Sequence, residues 1–187
     1  MARVFRHIVV CSLVGLVVAT MPIALAAEDE SKESKDTKIK RAMSAAPASI
    51  SKDATILDVD GTELKAGTNG WTCMPGIMPG DTHPMCNDAT WMQLMQAVAA
   101  KGDFQTDQLG TSYMLQGDAH VSNTNPFATD PKNGDVWVQE GPHLMVIVPD
   151  RKLLEGVSDD PYNGGPYVMW KDTPYVHIMV PLGPNHE

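Results

Sequence analysis

Apolar residues run almost unbroken from Ile8 to Ala27, behind a short basic start that holds Arg3 and Arg6. Ala24 and Ala26 stand at the −3 and −1 positions of a cleavage site. A basic head, an apolar middle and a small-residue site predict an export signal over residues 1–27, with the mature chain starting near Ala27 or Glu28. The alternative is an uncleaved anchor, since about 18–20 apolar residues suffice to cross a bilayer. Pro22 interrupts the helix that an anchor requires. Cys11 opens the apolar run with no small residue before it, which makes it a poor lipidation site. The expected product is periplasmic or secreted, with no membrane insertion once the signal is removed.

Residues 28–41 (EDESKESKDTKIKR) mix five acids with five bases and hold one apolar residue, Ile39. Such a stretch buries too little surface to offset its chain entropy, so residues 28–46 are expected to form a charged flexible tether or nascent helix. One globular domain is expected over 47–187.

Within that domain, the runs Ala54–Val59 and Thr62–Ala66 flank Asp60-Gly61, a pairing that predicts a hairpin. A Gly-, Pro- and Asn-rich loop covers roughly 67–86. Asn87 or Asp88 can cap a helix that runs to about Lys101 and stops at Gly102. Its Trp91, Leu94, Met95 and Val98 recur at helical spacing, and its methionines read as core filler. Ser112–Gln116 predicts a strand ended by Gly117, and 117–135 a long polar loop. Residues 136–149 (VWVQEGPHLMVIVP) and 168–181 (VMWKDTPYVHIMVP) align at an offset of 32, each predicting a hairpin of a short and a longer strand closed by proline. Between them Arg151–Gly156 fits one helical turn. The fold class is α+β, with a mainly antiparallel sheet, one principal helix and long loops.

Composition narrows the function. The chain carries 14 Lys+Arg against 23 Asp+Glu, and loss of Arg3 and Arg6 with the signal takes the net charge from −9 to −11. That balance argues against nucleic-acid partners, which require Lys and Arg to neutralise phosphate. The 15 glycines and 14 prolines are too many for a helical bundle. Fourteen of the 18 acids after residue 41 are Asp, whose short side chain suits turns and caps. No calcium-loop spacing accompanies them.

Arg41–Pro47 (RAMSAAP), Gly67–Cys73 (GTNGWTC), Pro84–Cys86, Tyr113–Leu115, Ser122–Thr129 and Gly164–Pro181 resemble phrases of a group of uncharacterised small exported bacterial proteins. The resemblance covers most of the chain after the tether. It implies the domain limits and no activity, cofactor or catalytic residue.

Three signals carry candidate chemistry. Asp58-Val59-Asp60-Gly61-Thr62 resembles the DxDGT signature of haloacid-dehalogenase-type phosphatases. The resemblance implies Asp58 as nucleophile, Asp60 as general acid and base, and magnesium, with Asp159-Asp160 as a later metal site and Lys132 or Lys152 as the lysine. That chemistry needs Asp58 at the end of a buried parallel strand among βα units. A hairpin turned by Asp60-Gly61 explains the same letters. Secondly, Cys73 and Cys86 bracket Met74, Met78, His83 and Met85, soft donors that suit Cu(I). Two cysteines in an exported chain more often pair, and a disulfide is the expectation here. The third signal is His143-Leu-Met145 and His177-Ile-Met179. Strand alternation puts His143, Met145 and Ile147 on one face and Leu144, Val146 and Val148 on the other. Likewise Tyr175, His177 and Met179 oppose Val176, Ile178 and Val180. The aliphatic faces are expected to pack on the 88–101 helix. The mixed faces, with Met145 set opposite His177, then either hold Cu(I) or fill a half-buried layer beneath the loops. An exposed Val176/Ile178/Val180 face, or histidines on separate surfaces, rules copper out. His120 beside Asp118 is a weaker candidate base.

No serine-hydrolase, zincin, Walker A or dinucleotide motif occurs. The leading reading is a non-enzymatic exported binding or interaction module with no cofactor. The alternatives are a copper(I)-binding periplasmic protein and a DxDGT phosphatase.

Overall fold

A computed structural model describes residues 33–131 and 135–185. The expected export signal, residues 28–32 of the tether, and Lys132 lie outside the described residues.

The segment expected as a flexible tether or nascent helix is folded from residue 33 onward, which corrects the flexible reading over residues 33–46. Ser34 caps α1 (Lys35–Met43), its hydroxyl accepting from the Thr37 N–H at 3.2 Å. Ala42, Ala45 and Ala46 are buried, with Ile39 and Met43 packed beside them. The charges are used as anchors. Lys38 Nζ donates to Asp58 Oδ2 at 2.6 Å, and Arg41 donates to the Pro75 carbonyl at 2.8 Å while pairing with Glu33. Charge cancellation within the segment hid these bonds because Asp58 and Pro75 lie 20 and 34 residues away.

After a short helix α2 (Ala48–Ser51), β1 (Thr55–Leu57) and β2 (Glu63–Lys65) form the expected antiparallel hairpin. Gly61 turns it at φ +84°, a left-handed conformation that strains any L side chain. β3 (Thr72–Met74) and β4 (Met85–Asn87) pair antiparallel, with Cys73 directly opposite Cys86 and the two joined by a disulfide. Their α-carbons are 3.9 Å apart. That is closer than the usual window of about 4.4–6.8 Å.

The main helix, α3 (Ala89–Ala100), starts where the sequence placed it. Asp88 Oδ1 accepts from the Trp91 N–H at 2.8 Å, and its Oδ2 accepts from the Thr111 N–H at 2.6 Å, tying the helix start to β5 (Gly110–Met114). Asp88→Ala is expected to cost about 2 kcal/mol, because it removes a cap and orphans a strand donor as well. A loss below about 0.5 kcal/mol in chemical denaturation would show that neither bond matters.

The remaining strands are β6 (His120–Ser122), β7 (Trp137–Gln139), β8 (His143–Ile147), β9 (Tyr167–Met169) and β10 (His177–Pro181), with a 3₁₀ turn at Arg151–Leu154. The main sheet has eight strands in the order β2-β1-β3-β4-β5-β8-β10-β9, and β6-β7 form a separate ribbon. All neighbours pair antiparallel except β1 and β3. The class is α+β, with sheet outweighing helix. Of the two repeated segments, only the second closes as a hairpin, β9 on β10. β7 turns away to β6, inside the stretch expected as an unbroken loop. At Gly141, between β7 and β8, the C-terminal chain crosses so closely that an added Cβ would lie 1.9 Å from the Pro184 carbonyl oxygen.

Candidate functional site

Register decides which face each side chain joins. Asn87, Ser112, Met145, Met179 and Tyr167 lie opposite one another in one cross-sheet row. Asn87 donates to the sulfurs of Met92 and Met95 on α3 at 3.6 and 3.3 Å, and accepts from the Ser112 hydroxyl at 2.6 Å. This row is therefore the face that α3 covers. The adjacent row, Cys86, Tyr113, Leu144 and Val180, faces the other way.

The expected faces of the two His-x-Met strands are thus reversed. His143, Met145 and Ile147 are buried while Leu144 and Val146 are half-buried. His177 and Met179 are buried, as is Val176, whereas Ile178 and Val180 are half-buried. Both histidines share the core face, and the aliphatic face is the outer one without being bare. The expected facing pair is also corrected: antiparallel register sets Met145 opposite Met179 rather than His177, with His143 opposite Pro181 on one side and Met114 on the other.

The two histidines occupy different settings. His177 stands between two indoles, edge-on to Trp91 at 5.1 Å and to Trp170 at 5.0 Å; its Nδ1 bonds the Tyr175 carbonyl at 2.9 Å, and its Nε2, like that of His143, has no hydrogen-bond partner. That is a packing role. His143 is wholly enclosed, its Nδ1 bonds the Gly141 carbonyl at 2.7 Å, and its Nε2 has no partner. A carbonyl only accepts, so the proton sits on Nδ1 and Nε2 carries a free lone pair. Burial lowers both pKa values to about 4, against the opposing pull of the Gly141 and Tyr175 carbonyls; His143 lowers His177 slightly further. Both rings are neutral at ordinary pH. Around His143 the same face presents Met114 across β5, Met145 two residues on, and Met179 opposite Met145, each buried.

Close in sequence, Glu140 is also fully buried. Tyr167 donates to its Oε1, Oε2 has no partner, and burial raises its pKa. Met114 and Glu140 escaped the sequence reading. Met114 joins His143 only through the pairing of β5 with β8, and no local pattern records that pairing.

Asp58 and Asp60 are absorbed by the hairpin. Asp58 Oδ1 accepts from the Val59 N–H at 2.9 Å and Oδ2 from Lys38, while Asp60 Oδ1 accepts from the Thr62 N–H at 2.9 Å. That last bond holds the exposed Asp60 carboxyl below its usual range. β1 does run parallel to β3, but an antiparallel return strand follows it where a helix would be required. Asp159 pairs with Lys171 at 2.7 Å, and Lys152 lies in the 3₁₀ turn. In the cysteine loop, Met74 and Met85 are buried, Met78 is exposed, and His83 pairs with Asp81 at 2.8 Å. His120 is exposed and stacks edge-on against Trp137 at 5.4 Å.

No protein-family model matches this chain, and no curated protein or solved structure matches it. Among the described residues, no three His, Cys, Asp or Glu side chains gather closely enough to hold a metal ion. Any metal at His143 would therefore depend on thioethers. No helix among the described residues is long and apolar enough to cross a membrane.

Proposed function

We propose that the protein is an exported, non-enzymatic binding domain whose ligand is copper(I), held by His143 with the sulfurs of Met114, Met145 and Met179. The observation that supports this reading is the free Nε2 lone pair of a buried, neutral imidazole on a face shared with three thioethers. Imidazole and thioether are soft donors that suit Cu(I) and disfavour calcium or magnesium. A backbone carbonyl on the other ring nitrogen is the usual support for a metal-bound histidine, and Gly141 supplies it at 2.7 Å. His143 is the first residue of β8. His177, held between two indoles, packs rather than ligates in this reading.

The test is a competition for Cu(I) under anaerobic ascorbate between the purified protein and bathocuproine disulfonate, read from the colour of the copper chelate. The wild type is expected to withhold one equivalent. Met145→Leu and Met179→Leu conserve volume and so keep the core. Each is expected to weaken retention by about tenfold or more, as loss of even a supporting partner does at metal sites. If the wild type withholds no copper, or if both leucine variants match it, the copper reading is wrong.

A further inference from the structure

His143 is wholly enclosed, so an ion bound there needs a way in from solvent. Strand register lays a row of thioethers outward from it. Met114 stands directly opposite His143 across β5 and β8. Cys86 pairs with Tyr113 and Asn87 with Ser112, and one step further the same register sets Met85 beside Met114. Met85 in turn stands opposite Met74 across β3 and β4. Cys73 and Cys86 turn toward the cluster that holds Ala42 of α1, so Met74 and Met85, next to them in the strands, turn to the other face. There they pack in the same core cluster as Met114.

Exposure rises along this row: His143 0 %, Met114 3 %, Met85 6 % and Met74 8 %. Met74 and Met85 close the loop 75–84, in which Met78 is 57 % exposed. Directly opposed side chains of antiparallel strands have β-carbons about 4.5–5.5 Å apart. The unbranched, flexible methionine side chain lets each sulfur swing across such a gap, and thioether sulfur is a soft ligand for Cu(I). We propose that Met74 and Met85 form an outer Cu(I) seat at the base of the loop, which passes the ion to Met114 and His143. The inference rests on the copper reading above. The passage is ligand exchange: a copper–sulfur bond to Met114 forms as the one to Met85 breaks, and copper stays Cu(I). No proton moves, since His143 Nε2 already carries a free lone pair.

Silver(I), a redox-inert stand-in for Cu(I), is titrated into wild-type protein labelled with ¹³C-methyl methionine and followed by NMR. Met114, Met145 and Met179 are expected to shift with the first equivalent, and Met74 and Met85 with the second. Met43, which packs with the other cluster, is expected to stay in place. Unmoved Met74 and Met85 signals overturn the outer seat, whatever the inner site does. Unmoved inner signals beside moving outer ones sink the copper reading and the handover with it. Equal movement of Met43 would mean silver meeting any thioether, which also overturns the proposal. The handover itself is read by stopped-flow transfer of Cu(I) from its bathocuproine disulfonate chelate. Met74→Leu with Met85→Leu keeps core volume while removing both sulfurs. It is expected to slow loading of the first equivalent by about tenfold and to leave its equilibrium retention unaltered. Unchanged loading, or retention lost along with the rate, would show that copper does not travel by this row.

Discussion

Replacing Cys73 and Cys86 together by alanine is expected to destabilise the domain by about 3 kcal/mol, the loop-closure entropy of a short cross-linked loop. The bridge is well placed to deliver that full effect. It spans directly opposed residues of β3 and β4. Both cysteines are fully buried beneath α1, in the cluster that contains Ala42, Ala45, Ala46 and Ile56. Loss of the bridge therefore also loosens the apolar seat of α1, where Ala42, Ile39 and Met43 pack against this cluster. Denaturant midpoints of the wild type and the double alanine variant measure the difference. A loss below about 1 kcal/mol would show that the unfolded chain is already confined without the bridge. Free thiols in native protein would remove the premise.

The other large effect concerns acid. His177 has a folded pKa of about 4 against 6.5 in the unfolded chain, because burial disfavours the imidazolium. As pH falls, the unfolded chain takes up the proton first, so the associated stability is complete above 6.5 and is lost on the way down to about 4. The full shift corresponds to about 3 kcal/mol. His143 acts in the same direction. Two carboxyls oppose them. Asp118, only partly enclosed as a residue, has its pKa raised to about 6 chiefly by burial, and Glu140 is raised for the same reason. Their folded forms hold protons more tightly than the unfolded chain does, so their contribution recovers as pH falls. The wild-type profile is a sum of these terms, and a variant isolates one of them. His177→Phe keeps a ring between Trp91 and Trp170 while removing the titration. Its stability deficit relative to wild type is expected to shrink by about 3 kcal/mol between about pH 7 and pH 4. A deficit that stays constant over that range would mean that His177 does not resist protonation in the fold.

Several elements were legible because their causes are local. Asp60-Gly61 specifies a tight turn through the backbone freedom of glycine, whatever surrounds it. Asp88 caps α3 through its own side chain, and the helical spacing of Trp91, Leu94, Met95 and Val98 announces the helix that follows. The pairing of Cys73 with Cys86 was expected on chemical grounds alone. The candidate site was half legible. His143, Met145, His177 and Met179 were singled out by strand alternation, which is a local property as well.

What alternation cannot say is which of two faces is covered, and here it pointed the wrong way. Asn87 decides the matter: it ends β4, grips the α3 methionines, and stands in the row that register carries through Ser112 to Met145 and Met179. The helix was therefore laid on the thioether face, although the aliphatic face looked like the better core. Met114 entered the site through a strand pairing that links residues about thirty positions apart. The charged leader folded because Lys38 and Arg41 found partners on distant strands and loops. Turns, caps, periodicity and cysteine chemistry were determined by the sequence itself, since each is an interaction among near neighbours. Facing, strand partners and the burial of individual polar atoms depend on contacts between residues far apart in the chain, and those acquire an energy only once the sheet is assembled.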